Sequence, residues 1–280
     1  MPKQLDEKIQ KSKLNLEGCV SFMPRIFAIC NKKGGVGKTI TSINLAVALV
    51  RENKKVLVVD LDAQSNATGI LKQDNIVIEK YITDLFEIIK LGGEFPSEDK
   101  FIYTSADGVD FIGSNTLLGN VEMGLATEMC RESVLKRILE PIKNAYDYVI
   151  FDCQPSIGLI TINALAAADE IIIPVQANDF FCLDGLVNLM KYIKLTQAHI
   201  NPSLHIAGIL ITKYSTNTNI SKLVCHNIYE DPNIHVFKSK ISLSTKVAET
   251  AAVKESIFRY APKAKAVIEY ENLAKEVISL

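Results

Sequence analysis

Short apolar runs that end in charge or glycine alternate along this chain with stretches whose apolar residues recur every three or four positions. Arg25-Ile-Phe-Ala-Ile29 predicts a first strand, and Leu45, Ala48 and Leu49 at helical spacing predict a helix from about Lys38 to Arg51. Lys55-Val-Leu-Val-Val-Asp60, Tyr148-Val-Ile-Phe-Asp152, Glu170–Val175 and His205–Thr212 read as further strands, apolar enough to be covered on both faces. Residues 61–80 and 92–107 read as loops, Thr83 to Leu91 as a helix and Val109–Ile112 as a short strand. Residues 115–144 read as helical with a break near Cys130 to Glu132, and Val134, Leu135, Ile138 and Leu139 form an apolar face. Ser156 is expected to cap a helix running through Ala167. Helices are then expected over 184–198, 219–229 and 244–254, with a strand near Ile234–Phe237 and a terminal helix over Ala261 to Leu280. The alternation predicts an α/β fold: a doubly wound, mostly parallel central sheet flanked by helices.

Residues 1–24 mix charges with Ile9, Leu14 and Leu16 and read as a short polar extension, leaving 25–280 as a single domain. At 280 residues, with 48% hydrophobic and 22% charged, the chain can bury a sizeable core. A net charge of −1 means that any nucleic-acid surface must be a local patch. Six cysteines (Cys19, Cys30, Cys130, Cys153, Cys182, Cys225) form no C-x-x-C pair and read as buried thiols of a reducing cytosol. The four histidines show no ligand spacing, so a protein-held metal centre is not expected. No apolar run reaches the roughly 18–20 residues needed to span a bilayer, and the N-terminus lacks the apolar core of a secretory signal. A cytoplasmic location is the expectation.

The chemistry concentrates in Asn31-Lys32-Lys33-Gly34-Gly35-Val36-Gly37-Lys38-Thr39, which joins the first strand to the first helix. A strand, a Gly-rich turn and a helix N-terminus make a phosphate cradle, because backbone N–H groups point inward and the helix dipole favours negative charge. Lys32 stands where the ordinary P-loop pattern has its first glycine, and an added lysine, Lys33, precedes Gly34. Phosphoryl chemistry also needs a lysine on the phosphates, a hydroxyl on Mg²⁺ and carboxylates at strand ends. Lys38, Thr39, Asp60, Asp62 and Asp152 supply these in order.

Lys33-Gly-Gly-Val-Gly-Lys38-Thr39, Asp60-Leu-Asp62-Ala-Gln64-Ser-Asn66-Ala-Thr68 and Tyr146-Asp-Tyr-Val-Ile-Phe-Asp152-Cys-Gln-Pro-Ser156 resemble the deviant Walker A, A′ and B motifs of the ParA/Soj partition ATPases. Glu140-Pro-Ile-Lys, Gly158-Leu-Ile-Thr-Ile-Asn163 and Pro174-Val-Gln176 are also similar, and the likeness runs from about residue 25 to 280, with MinD a more distant relative. The resemblance implies ATP and Mg²⁺ as cofactors, with the nucleotide on Lys33, Gly34, Gly35, Val36, Gly37, Lys38, Thr39 and Ile40. Lys33 would reach the nucleotide of the opposite subunit in an ATP-sandwiched homodimer, while Lys38 binds phosphate in its own subunit. Thr39 would ligate Mg²⁺, with Asp60 and Asp152 supporting the metal through water, and Asp62 would position the attacking water. Lys33, Lys38, Asp62 and Asp152 are thus the implied catalytic set, and adenine is implied near Thr212 to Tyr214 and Ser242. The implied activity is a Mg²⁺-dependent ATPase of chromosome or plasmid partition, slow without a ParB-like partner and bound nonspecifically to DNA, hence nucleoid-associated, when ATP is present.

The chain departs from the family pattern at Ile40, Ala63 and Gln154, where Thr or Ser, Pro and Pro are usual; these bear on rate rather than on reaction. Between residues 213 and 246 five lysines face two acids. Lys213, Lys222, Lys240 and Lys246 are therefore candidates for DNA phosphates, although a solvated lysine face gives the same pattern and Asn217 stands where the family commonly has arginine. Two rival functions stay open: an ATP-locked module that positions a protein complex without DNA, and a MinD-like division-site regulator. The second needs a basic amphipathic tail, and the terminal segment with Glu269, Glu271 and Glu276 is too acidic for membrane contact.

Overall fold

The computed structural model describes residues 23–74, 76–180, 182–230 and 235–280, so the N-terminal extension lies, but for its last two positions, outside the described residues. The strands are β1 (Arg25–Ile29), β2 (Val56–Leu61), β3 (Tyr103–Thr104), β4 (Asp110–Ile112), β5 (Tyr148–Cys153), β6 (Glu170–Gln176), β7 (His205–Tyr214) and β8 (Val236–Ser242). The α-helices are α1 (Lys38–Arg51), α2 (Asn66–Leu71), α3 (Ile82–Leu91), α4 (Leu118–Leu125), α5 (Val134–Leu139) and α6 (Leu159–Ala167). They continue with α7 (Cys182–His199), α8 (Asn219–Tyr229), α9 (Thr245–Val253), α10 (Ile257–Tyr260) and α11 (Lys265–Ser279).

One sheet runs in the order β3-β4-β2-β5-β1-β6-β7-β8, parallel throughout except for the β3–β4 edge. Alternate residues of each central strand enter opposite cores. Phe27 and Ile29 of β1, Val56 and Val58 of β2 and Ile150 of β5 pack with α1, α10 and α11, while Ala28, Leu57, Val59 and Phe151 pack with α3 to α8. Burying both faces explains why these strands read as continuous apolar runs rather than alternating ones. Pro174 sits in central β6 without breaking the ladder, because β1 pairing ends at Ile29 opposite Ile172 and no partner there needs its missing N–H.

Several boundaries differ from expectation for local reasons. The stretch 92–107 holds β3, two residues long, whose pairing with β4 is too short to give a periodicity. The stretch 61–80 holds α2, six residues anchored when Asp60 Oδ2 accepts the Thr68 N–H at 2.8 Å. Ser156 does not cap α6. Gly158 is the capping position, Glu122 Oε1 accepts the Ile160 N–H at 3.2 Å, and the Ser156 carbonyl instead accepts the Thr161 hydroxyl at 2.7 Å. The terminal helix starts only at Lys265, after Pro262 has separated it from α10. The strand expected from Ile234 runs over Val236–Ser242, and Ile234 itself lies outside the described residues.

Candidate functional site

The C-terminal ends of β1, β2, β5, β6 and β7 face one crevice. In an open parallel sheet the helices reverse sides at such a point and ligands bind there. The glycine-rich loop leaves β1 here. Gly35 and Gly37 take positive φ values of 73° and 92°, which side-chain-bearing residues rarely adopt. Two polar side chains hold the loop from outside. Buried Asn31 donates to the Pro174 carbonyl at 2.7 Å while its Oδ1 accepts the Lys33 N–H at 3.0 Å, tying one shoulder to β6. The Thr212 hydroxyl donates to the Val36 carbonyl at 2.8 Å, tying the other to β7.

Lys38 opens α1 and its ammonium donates to the Lys33 carbonyl across the loop at 3.2 Å. Burial pulls its pKa below the usual lysine range, and the Asp152 charge opposes the drop. Asp152 ends β5 in full burial. The Ser42 hydroxyl, one helical turn beyond Lys38, lies 3.0 Å from its Oδ1, and Oδ2 makes no hydrogen bond. Burial above all, then the charge of Asp60, pushes the Asp152 carboxyl up to about 8, while Thr39, Ser42 and Lys38 pull the other way. A buried carboxylate oxygen without a donor beside the Thr39 hydroxyl is a fitting place for a cation that prefers oxygen, such as Mg²⁺. No group of three His, Cys, Asp or Glu among the described residues makes a metal cage, so phosphate and water would complete such a shell.

Asp60 is differently engaged. Its Oδ1 accepts the Asp62 N–H at 3.0 Å and its Oδ2 accepts both the N–H and the hydroxyl of Thr68, at 2.8 and 2.7 Å. Burial raises its pKa to about 6. Its oxygens thus shape the turn that carries Asp62, which lines the crevice and accepts the Gln64 N–H at 2.9 Å.

The crevice encloses about 860 Å³. Gly37, Lys38, Thr39, Ile40 and Asp62 line it together with Thr212, Lys213, Ser242 and Val247. Of the residues expected around a nucleoside, Tyr214 turns away and lies under the Lys240 ammonium at 4.8 Å from its ring centroid. The Lys33 ammonium is paired with Asp179. Gln154 donates to Glu122 at 3.4 Å.

The candidate DNA lysines are spread over four elements. Lys213 lines the crevice in a left-handed conformation (φ 49°), its ammonium 3.4 Å from Gln176 Oε1. Lys240 lies between the rings of Tyr214 and Tyr229, Lys246 is ion-paired with Glu249 at 2.9 Å, and Lys222 is exposed on α8. Sequence reasoning missed Asn31, Ser42 and Asp179. Ser42 alone carried a signal, since a hydroxyl four residues after the loop lysine shares its helix face.

A family model described as an AAA domain matches residues 24–206. The sporulation initiation inhibitor protein Soj of Bacillus subtilis is 38% identical over 91% of this chain and 98% of its own. The chromosome partitioning protein ParA of Caulobacter vibrioides is 35% identical over 91% and 94%. Among solved structures, the cobyrinic acid a,c-diamide synthase of Mycobacterium smegmatis, with an ATP analogue and magnesium bound, superposes with a TM-score of 0.77 at 28% identity, covering 91% of this chain and 94% of that one.

Proposed function

Because this chain belongs to the ParA/Soj family of P-loop ATPases, we propose that it is an ATP-driven dimerising switch of chromosome or plasmid partition. Two copies pair when each is loaded with ATP, the pair holds DNA without reading its sequence, and hydrolysis stimulated by a ParB-like partner lets go. The observation that carries this reading is the convergence of Lys38, Thr39 and Asp62 on one crevice above buried Asp152.

The loop N–H groups and Lys38 would hold the nucleotide phosphates, while Thr39 and Asp152 would hold the metal. When bound, Mg²⁺ neutralises charge that builds on the transferred phosphoryl group. Asp62 orients a water, and Asp60, through the Asp62 N–H and Thr68, keeps that turn in place. Lys33 reaches across to the nucleotide of a second copy. A cation delivered across an interface ties assembly to ATP occupancy, because the phosphate it meets is present only in the loaded partner.

Phosphate-tracking contacts weaken steeply with salt. A DNA shift assay with ATP across a salt series is expected to show salt-sensitive, ATP-dependent binding that is lost when Lys240 and Lys246 are changed together. One observation favours the second reading, an ATP-locked positioning module without DNA: Lys213, Lys240 and Lys246 each have an intramolecular partner. DNA binding absent at low salt would decide for it. For a MinD-like role, α11 spends Glu269 and Glu276 on β8, where they accept from Ser242 and Ser239, and binding to anionic vesicles is not expected.

A further inference from the structure

Four polar side chains are linked one to the next from the glycine-rich loop to Lys213 in the wall of the crevice. The Lys33 ammonium is paired with Asp179 Oδ2. The same oxygen accepts from Gln176 Nε2 at 3.1 Å, and Gln176 Oε1 accepts from the Lys213 ammonium at 3.4 Å. The first turn of α7 passes close to Lys33: a Cβ added at Gly185 would lie 3.6 Å from the Lys33 Cβ. The Lys33 and Asp179 side chains are 24% and 32% exposed, enough for an incoming anion to compete for the ammonium without unfolding anything.

An ammonium neutralised by a carboxylate of its own chain has to leave that carboxylate before it serves a phosphate elsewhere. We propose that Asp179 is a positioning residue for Lys33. It holds the lysine in the unpaired subunit and sets the concentration at which two copies pair, the nucleotide phosphates of the second copy displacing the Asp179 carboxylate. Phosphate oxygens with more than one negative charge win that exchange over a single carboxylate. Gln176 carries the tie onward to Lys213, so both lysines of the line are anchored to the β6 end until nucleotide and partner are in place. This inference rests on the reading of Lys33 as a residue that serves the opposite subunit.

The test is the dimer dissociation constant of the full chain, by sedimentation velocity with a nonhydrolysable ATP analogue and Mg²⁺. It is measured for wild type, Asp179→Asn, Lys33→Met and the double variant. Each partly exposed ion pair is worth a factor of a few, and a dimer releases two, so Asp179→Asn is expected to pair about tenfold more tightly than wild type. In the Lys33→Met background the same change is expected to do nothing. An unchanged or weaker Asp179→Asn dimer overturns the role of Asp179, and so does an equal gain without Lys33. A wild-type protein that does not pair, or that pairs equally well as Lys33→Met, overturns the reading of Lys33 itself and this inference with it. Asp179→Ser, which removes the carboxylate with a smaller side chain, is held to the same outcomes.

Discussion

Asp60 and Asp152 stand opposite one another in register on the neighbouring parallel strands β2 and β5, both sealed from solvent. Two buried carboxylates so placed do not both stay ionised, and Asp152 keeps its proton up to about pH 8. In the unfolded chain the same group titrates near the ordinary value of about 3.9. Between the two values the folded protein binds a proton that the unfolded chain has lost. The stability from this group is therefore full at low pH and drains away as pH rises towards 8. Metal-free protein is expected to lose roughly 1.4 kcal/mol per pH unit from Asp152 over that window. Urea unfolding in EDTA across the same range measures the slope, which Asp152→Asn should flatten; an equal slope in that variant contradicts the assignment.

Asp62 lines the crevice and lies nearly buried, yet it holds no element together beyond one N–H of its own turn. Asp62→Ala is expected to bind ATP and to pair while hydrolysis falls by roughly 100-fold, the lower range for a lost water-positioning group. Phosphate release measured beside equilibrium nucleotide binding separates the two effects. A variant that neither binds nor pairs shows that Asp62 does something else.

Thr212 grips the loop from β7. Thr212→Val keeps the shape but leaves the Val36 carbonyl without its donor, a loss of about 1–2 kcal/mol. If that hydrogen bond holds the cradle ready, nucleotide affinity falls roughly tenfold in a fluorescent-nucleotide titration with little change in turnover at saturation. A fall in turnover alone would put Thr212 on the reaction rather than on the loop.

Glu122 caps α6 and meets Gln154, where the family usually has proline. A Cβ at Gly158 would stand 2.0 Å from Glu122 Oε1, so Gly158→Ala pushes the carboxylate off the helix end. The expected cost is about 1 kcal/mol, the value of a helix cap. Glu122→Ala should cost about the same, and the double variant little more, because one interaction is removed twice. Additive shifts in urea midpoint would mean that the two residues act separately.

The fold was largely legible in the chain because its strands are buried on both faces. β1 and β5 needed only their unbroken apolar runs, and α1 needed only its spacing behind a glycine turn. Elements held by one specific contact were not legible. β3 exists because β4 lies beside it, and α2 because Asp60 catches the Thr68 backbone, and neither contact leaves a periodic trace. The same division runs through the site. Lys38, Thr39, Asp62 and Asp152 follow from motif spacing, whereas Asn31 and Asp179 work through residues more than 140 positions away, a pairing that the fold creates. The lysines between 213 and 246 were legible as charge, but their partners Gln176, Tyr229 and Glu249 show only once the chain is folded.

The nucleotide-driven pairing of two copies through Lys33 is tested most directly by the solution mass of Asp62→Ala protein with Mg²⁺ and either ATP or ADP, alone and combined with Lys33→Ala. Twice the mass of one chain is expected with ATP, one chain with ADP, and one chain in both nucleotides once Lys33 is lost. A single chain under every condition, or a dimer indifferent to nucleotide and to Lys33, would contradict it.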